Sequence, residues 1–499
     1  MKKTINNRRL KFSAIGTFVF FIAANGFILF NYVPQHDSLN YISNFAGKWE
    51  LMLGRFLLPF YGIFRGNLPV PFLTGIISMV CLTVMVYLLT DILEINKPLY
   101  ILMAAAFLSA NITHTEVLSS FIYVEDVCMT AAMFACLSVH ILNRTNKTRW
   151  RALSIFLLVL SMGLYQAYLA TAATLILLLS MKDILQTGKF GQENLRKLFM
   201  DTVALIFACV IYFLVKNLVM MITGLHGATD YHSLTNILQD LSSIPSRLYI
   251  NYGSKISMFF VRKEMGLGRI GNCLIAIATV FIIHHIFQKK GTNMQIKVAF
   301  IIMFLISTLT ALMFNIGTGM IAYRLSFAIF LYYLFIIAVL KLYANEFSGK
   351  TIKIRVMCIL LSIVIWSNLV YSNGAYTTQK IIFDRSISLY TRVLDDIYEI
   401  PEYVHNQTPV IILGDYTFDD YAFNLSKKEY RDLGAFNNTS VTYSLTVKNL
   451  MHYLGEEINM IMDEKTNIKM AEKQEVRSMP SFPNKGYIQM IDDYLVINL

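Results

Sequence analysis

Eleven apolar runs, each close to the length of a membrane-crossing helix, fill most of the first 372 residues of this 499-residue chain. They lie near residues 12–33, 69–92, 98–112, 127–142, 151–164, 166–181, 199–220, 271–288, 298–316, 325–343 and 356–372. A helix needs roughly 20 apolar residues to cross hydrocarbon, fewer when it is packed inside a bundle. Charged residues make up only 15% of the chain, against a usual fraction of about 25%. That is too little charge to coat a soluble globule of this size. A cytosolic enzyme, a disordered chain and a fibrous protein are excluded, and a polytopic α-helical membrane protein with about 11 transmembrane helices is expected.

The first run follows the basic stretch MKKTINNRRLK and ends without a small-residue cleavage site, so it reads as a retained helix and not as a removed signal. The stretch 151–181 divides into two short helices, because Gly163, Tyr165 and Gln166 interrupt it. With the N-terminus inside, the inner segments hold 21 Lys and Arg and the outer loops hold 9. This is the sign that the positive-inside rule requires. An odd number of spans then places everything after residue 372 outside.

The net charge of +11 divides into +17 for residues 1–372 and −6 for residues 373–499. The first part records topology, so no nucleic-acid partner is implied. The second belongs to a water-facing unit, giving a transmembrane catalytic domain over 1–372 and a small extracytoplasmic α/β domain over 373–499. Within the latter, Lys380 to Glu399 has helical spacing, Pro409 to Asp415 reads as a buried strand running into a turn, and Gly486 to Asn498 reads as a hairpin about Asp492-Asp493. The six cysteines all lie in apolar runs without C-x-x-C pairs, so neither a zinc site nor a disulfide framework is indicated.

Ionisable residues at the outer mouths of spans are the natural places for chemistry, since they are costly to desolvate. Asp37 follows the first span; it suits a general base for a sugar hydroxyl, or equally a solvated cap for a helix over 38–46. From Leu39 onward the apolar residues recur at helical spacing, as in a helix lying on the membrane surface. There Trp49 faces the interface, and Arg55 offers a planar fork for phosphate or snorkels to lipid headgroups. Glu125 and Asp126 open the fourth span after a loop holding His114 and Glu116, and that loop has no Lys or Arg. Adjacent carboxylates point to different sides of a helix end, so one of the two faces the cavity and the other caps it. A divalent metal on Asp37, His114 and Glu125 is conceivable, but no spacing fixes it, and no metal ligand is assigned. Tyr165 and Gln166 offer a stacking face and an amide for a sugar. The outer loop 222–269 carries His226, Asp230, His232, Arg247, Lys255 and Arg262, and Arg324 lies at the mouth of the tenth span; these suit an anionic lipid phosphate. No phosphate-binding P-loop, nucleophile elbow, H-E-x-x-H zinc motif or dinucleotide fingerprint occurs in a usable context.

Taken in order, these features resemble a known family. They are the short basic N-terminus, the early Asp37, Gly54-Arg55-Phe56, Tyr165-Gln166-Ala167 between two short helices, and Met479-Pro-Ser-Phe-Pro-Asn-Lys-Gly486 before a terminal hairpin. They are similar to the Gtr type II transmembrane glucosyltransferases, associated with serotype conversion of bacterial O-antigens. The chain departs from that pattern at His36, where a second acidic residue is common, and at Phe56, where Trp is usual. The resemblance implies a GT-C-like fold, no nucleotide sugar, and an undecaprenyl-phosphate-linked glucose as donor substrate. It implies a lipopolysaccharide O-antigen or related acceptor at the periplasmic face of the bacterial inner membrane, with flippase and donor-synthase partners. It makes Asp37 the base; Glu125 or Asp126 would then orient the acceptor or assist Asp37. Arg55, Arg324, Arg247 and Arg262 would hold the donor phosphate, and Trp49, Tyr165 and Gln166 the sugar. An O-antigen polymerase or ligase, and a non-enzymatic flippase for lipid-linked sugars, are the competing classes. Inverted repeats and paired broken helices, expected of a flippase, are not visible in the sequence.

Overall fold

The computed structural model describes residues 2–34, 37–41, 47–66, 70–145, 147–226, 241–347, 351–414 and 444–499, and statements of structure refer to these. His36, Asp230, His232, Asp415 and residues 42–46 of the expected helix over 38–46 lie outside them. The elements before the long bundle are α1 (Lys2–Phe30), α2 (Asp37–Asn40), α3 (Lys48–Met52), α4 (Leu58–Arg65) and α5 (Pro71–Ile92). There follow α6 (Pro98–Ser109), α7 (Ile112–Ser120), α8 (Glu125–Arg144), α9 (Thr148–Leu164), α10 (Leu169–Thr187) and α11 (Gln192–Thr223). The bundle closes with α12 (Ile244–Ile256), α13 (Leu267–Lys290), α14 (Met294–Thr318), α15 (Leu331–Glu346) and α16 (Thr351–Tyr398).

Ten helical segments among the described residues are long and apolar enough to cross a membrane. The 17-residue α9, about 26 Å long at the usual rise, is the eleventh. Its depth is fixed by pairing with α8: Ser154 meets Ser138 at 2.6 Å, and Ser161 Oγ donates to the Ala131 carbonyl at 2.8 Å. Those two pairings keep one antiparallel register, so α9 runs back alongside α8 and the chain turns again at Tyr165.

The connections sort onto two faces. On one, Arg9 pairs with Asp91 at 2.5 Å, Arg144 also reaches Asp91, and Lys182 pairs with Glu94 at 3.0 Å. Lys290 pairs with Glu346 at 2.6 Å on the same side. These belong to the Lys- and Arg-rich segments, and we call this the basic face. On the other, Ser38 bonds to Ser120, Gln166 to Leu53, Arg65 to Asp126 and Arg324 to Glu116. Eleven alternating crossings account for both sets.

The centre of the bundle is the broken span α6–α7. Asn111 interrupts it and caps α7, its side chain accepting from the Thr113 and His114 amides. Every residue of α7 is buried, so the stretch expected as an outer loop is an interior helix. Most of its polar residues are given partners: Thr113 donates to the Tyr323 carbonyl at 3.1 Å and Thr115 meets Ser372 at 2.7 Å. Loop 222–269 likewise contains a 13-residue helix, α12, packed on α14.

At 48 residues, α16 is about 72 Å long and passes through position 372 without a break. Its Gln379 amide reaches Val33 and Ser119 at the face opposite the basic one, and its remaining turns project beyond. They carry the C-terminal unit, made of β1 (Val410–Leu413), α17 (Ser444–Tyr453), α18 (Glu464–Ala471), α19 (Gln474–Arg477), β2 (Ile488–Ile491) and β3 (Tyr494–Asn498). The sheet order is β1-β3-β2, with β1 parallel and β2 antiparallel to β3. Asp492 and Asp493 both have positive φ, as a two-residue hairpin of this twist requires. Alternate residues serve opposite sides: Ile411, Ile491 and Val496 close a small core with Met470 and Met479, while Val410, Leu495 and Ile497 join the main core. Tyr487 Oη donates to Asp396 of α16 at 2.6 Å. In the same unit α17 packs on α2, and its Tyr453 ring meets Phe383 edge-on at 5.6 Å.

Candidate active site

Asp37 is the first residue of α2 and is half-buried. The short helix cannot hold itself, and its neighbour Ser38 anchors it: Ser38 Oγ donates to the Ser120 carbonyl at 3.0 Å and accepts from the Ile122 amide at 3.2 Å. This seats Asp37 beside the junction of α7 and α8. Tyr41 stacks on Tyr123 with centroids 4.0 Å apart. Its hydroxyl donates to Glu50, whose other carboxylate oxygen accepts from the Gly47 amide at 2.7 Å. Burial and this hydrogen bond push the Tyr41 phenol well above its ordinary range. Asp37, Glu50 and Arg55 all act electrostatically on the Tyr123 phenol.

Arg55 is presented by a stitched turn. Gln166 Nε2 donates to the Leu53 carbonyl at 2.7 Å and to Tyr212 Oη at 2.8 Å, and Tyr212 Oη donates to the Gly54 carbonyl at 3.1 Å. Gly54 has φ +82°, and a Cβ there would fall 2.5 Å from Tyr212 Oη, so glycine is required twice over. The Leu57 amide donates to the Gly163 carbonyl at 3.0 Å, fixing the far end of the turn. The result is a guanidinium 4.4 Å above the Tyr165 ring. Its buried Nε has no hydrogen-bond partner among the described residues, which leaves donor capacity at this spot.

Arg324 approaches from the other side. Glu116 accepts from the Tyr323 amide at 2.5 Å, the Arg324 amide at 3.2 Å and the Arg324 guanidinium at 2.5 Å. The guanidinium also lies 4.5 Å over Phe121. Arg55 and Arg324 both act on the Tyr165 phenol, and Lys255 Nζ lies 3.7 Å from the Tyr323 ring centre. Asp37, Arg55, Tyr165 and Arg324 thus gather on one face of the bundle, where the cations Arg55, Arg324 and Lys255 are set among the carboxylates Asp37, Glu50 and Glu116.

Glu125 and Asp126 lie behind this group and are fully buried. Successive helix positions diverge by about 100°, and each carboxylate has its own partner. His114 Nε2 donates to the Leu108 carbonyl at 2.6 Å, so its Nδ1, 2.5 Å from Glu125 Oε1, shares a single bridging proton with that carboxylate. Phe21 and Phe327 close edge-on around the imidazole. With both nitrogens engaged, His114 has none left for a metal, and no group of three or more His, Cys, Asp or Glu among the described residues is placed to hold one. Asp126 Oδ1 accepts from Arg65 at 3.2 Å, and Arg65 also donates to Thr74 and to the Tyr123 carbonyl. Burial pulls the Arg65 guanidinium below its ordinary range, opposed by the Asp126 charge. Arg65→Ala would strand a buried carboxylate and cost about 3–5 kcal/mol, whereas Arg65→Met with Asp126→Leu restores most of the loss. Unfolding of the purified chain in detergent reads the difference.

The other sequence candidates are placed differently. Gln166 uses its amide to hold the Arg55 turn, and Trp49 is exposed on α3. Arg247 on α12 donates to the Gly317 carbonyl at 2.9 Å, and Arg262 ends a π-turn over Ser257–Val261. Sequence reasoning gave no role to Arg65, Glu116, Tyr41 or Tyr123. The available signal was the uncompensated polar stretch Thr113-His-Thr-Glu116, beside a span that otherwise lacks charge.

Residues 26–366 match the family model described as Glucosyl transferase GtrII. The matched stretch runs from α1 into α16 and contains Asp37, Arg55, Glu125, Asp126, Tyr165 and Arg324. No curated protein and no solved structure matches the chain. The match covers about two-thirds of the sequence, the same stretch that builds the bundle and its polar face, and the chain therefore belongs to the GtrII glucosyl transferase family of membrane glycosyltransferases.

Proposed function

We propose that the chain moves a glucosyl residue from a polyprenyl-phosphate sugar to an O-antigen or related cell-surface glycan at the periplasmic face of the inner membrane. The observation that carries this reading is that Asp37, seated by Ser38 at the junction of α7 and α8, shares one face of the bundle with Arg55, stacked 4.4 Å over Tyr165, and with Arg324, 4.5 Å over Phe121. A base and a phosphate-neutralising pair are what displacement of a lipid phosphate needs. The positive-inside bias supports a cytoplasmic N-terminus and a periplasmic site.

In this mechanism Asp37 accepts the proton of an acceptor hydroxyl, and the freed oxygen attacks the anomeric carbon. The bond from that carbon to the phosphate oxygen breaks, the electron pair leaves with the phosphate, and the configuration inverts. Arg55 and Arg324 neutralise the departing phosphate. Glu116 orients Arg324; Glu50, through Tyr41, fixes the aromatic wall beside Asp37. Glu125 and Asp126 hold the frame from behind. A donor made at the basic face has to be turned over before use, so a synthase and a flippase for the lipid-linked sugar are the expected partners. Membranes containing the chain, given labelled polyprenyl-phosphate glucose and lipopolysaccharide, are expected to add single glucosyl residues. Chain growth would indicate a polymerase or ligase, and no covalent product a flippase.

A further inference from the structure

A cavity of about 80 Å³ opens on the basic face, lined by Glu94, Lys182, Gln186, Lys341 and Asn345 at its polar end. Its wall is apolar: Leu93, Leu185, Ala338, Val339 and Leu342. It lies where α5, α10 and α15 end, far along the chain's crossings from Asp37, and the reaction uses none of its residues. The volume exceeds what one water requires and suits a tetrahedral oxyanion.

Its donors are not exhausted. Lys182 is buried and spends two N–H groups, on the Ile92 carbonyl and on Glu94 Oε1, each at 3.0 Å. A third remains. Lys341 Nζ is 3.7 Å from Glu94 Oε2, an ion pair too long for a hydrogen bond. Gln186 gives one amide hydrogen to Glu94 Oε2 at 3.2 Å and keeps the other. Two ammonium groups therefore face one carboxylate, and Arg9 adds its field at Lys341.

Glu94 itself is held in the left-handed region, φ +60°, just past the end of α5. Glycine or asparagine is the usual choice there. The Ile95 amide closes the turn onto the Thr90 carbonyl at 2.7 Å, and Lys182, Gln186 and Lys341 surround the glutamate's carboxylate. The polar end sits at the level of the helix termini, and the apolar wall runs back into the bundle.

We propose that this cavity binds the phosphate headgroup of an anionic membrane phospholipid at its polar end, beside Lys182, Gln186, Lys341 and Asn345. Basic pockets between spans at the cytoplasmic side are suited to such headgroups. The test uses the full chain in detergent, titrated with phosphatidylglycerol, phosphatidylcholine or inorganic phosphate, and counts retained lipid by native mass spectrometry. Phosphatidylglycerol is expected to be retained over phosphatidylcholine. Lys341→Gln should lower its retention about fivefold, from one lysine's share of headgroup attraction, and leave phosphatidylcholine unchanged. Asn345→Leu, at an exposed position, should give a smaller loss in the same direction and serves if Lys341→Gln fails to fold. Equal retention of the two lipids, or retention unchanged in both variants, would overturn the proposal. Displacement of phosphatidylglycerol by millimolar inorganic phosphate would overturn the lipid as the source of the phosphate.

Discussion

Asp37→Asn is expected to lower sugar transfer by about 10²–10⁴-fold, the usual worth of a positioned general base, at unchanged expression. The asparagine keeps the size of the side chain and removes its ability to take a proton. The seat of α2 has anchors besides that carboxylate, because Ser38 provides the hydrogen bonds to Ser120 and Ile122, and Leu39 is buried. A folding defect is therefore not expected, and the far-ultraviolet spectrum and melting profile should match the parent. Asp37→Glu places the same chemistry one methylene farther out and should retain part of the activity. Initial rates with labelled donor, at matched amounts of protein, measure all three.

Arg55→Ala is the second large effect, an expected loss of about 10²–10³-fold. Charge on the phosphate grows as the glycosidic bond breaks, so the guanidinium contributes more in the transition state than in the bound donor. The fall should appear mainly in kcat, with a smaller change in KM. Arg55→Lys preserves the positive charge but loses the planar fork and the stack on Tyr165, 4.4 Å away. An intermediate rate is expected. A lysine variant with parental activity would mean that charge alone suffices and that the Tyr165 platform has no part in it.

Much of this architecture was legible in the sequence because hydrocarbon imposes a coarse requirement. Ten of the eleven apolar runs gave helices long and apolar enough to cross, with the shorter α9 antiparallel beside α8, and the break at Tyr165 separates α9 from α10 as Gly163 and Gln166 indicated. The strand at Val410–Leu413 and the hairpin about Asp492-Asp493 were legible for a local reason, since a short apolar run and a turn pair can be read without knowing that β1 pairs with the distant β3. Asp37, Arg55, Tyr165 and Arg324 could be singled out because ionisable and aromatic residues at span mouths are few.

What stayed hidden depends on tertiary partners. Thr113, His114 and Glu116 look like loop residues, and become a buried helix only because the Leu108 carbonyl, Glu125 and Arg324 answer them. Arg65 and Asp126 are 61 positions apart, a separation at which no spacing rule applies. Gln166, expected at the sugar, is committed to the Leu53 carbonyl and Tyr212, a role visible only once α11 is placed beside the turn. The continuation of α16 through residue 372 escaped notice because the continuous apolar run ends there, while the helix goes on into the one-sided spacing of Lys380 to Glu399.

The most direct measurement supplies the purified full chain, in nanodiscs, with polyprenyl-phosphate glucose labelled in the sugar, a lipopolysaccharide acceptor and no nucleotide sugar. The expected result is label on the acceptor, one residue per site with inverted anomeric configuration, and none above background with Asp37→Asn. Transfer that requires a nucleotide-activated glucose, or that proceeds undiminished with Asp37→Asn, would contradict it.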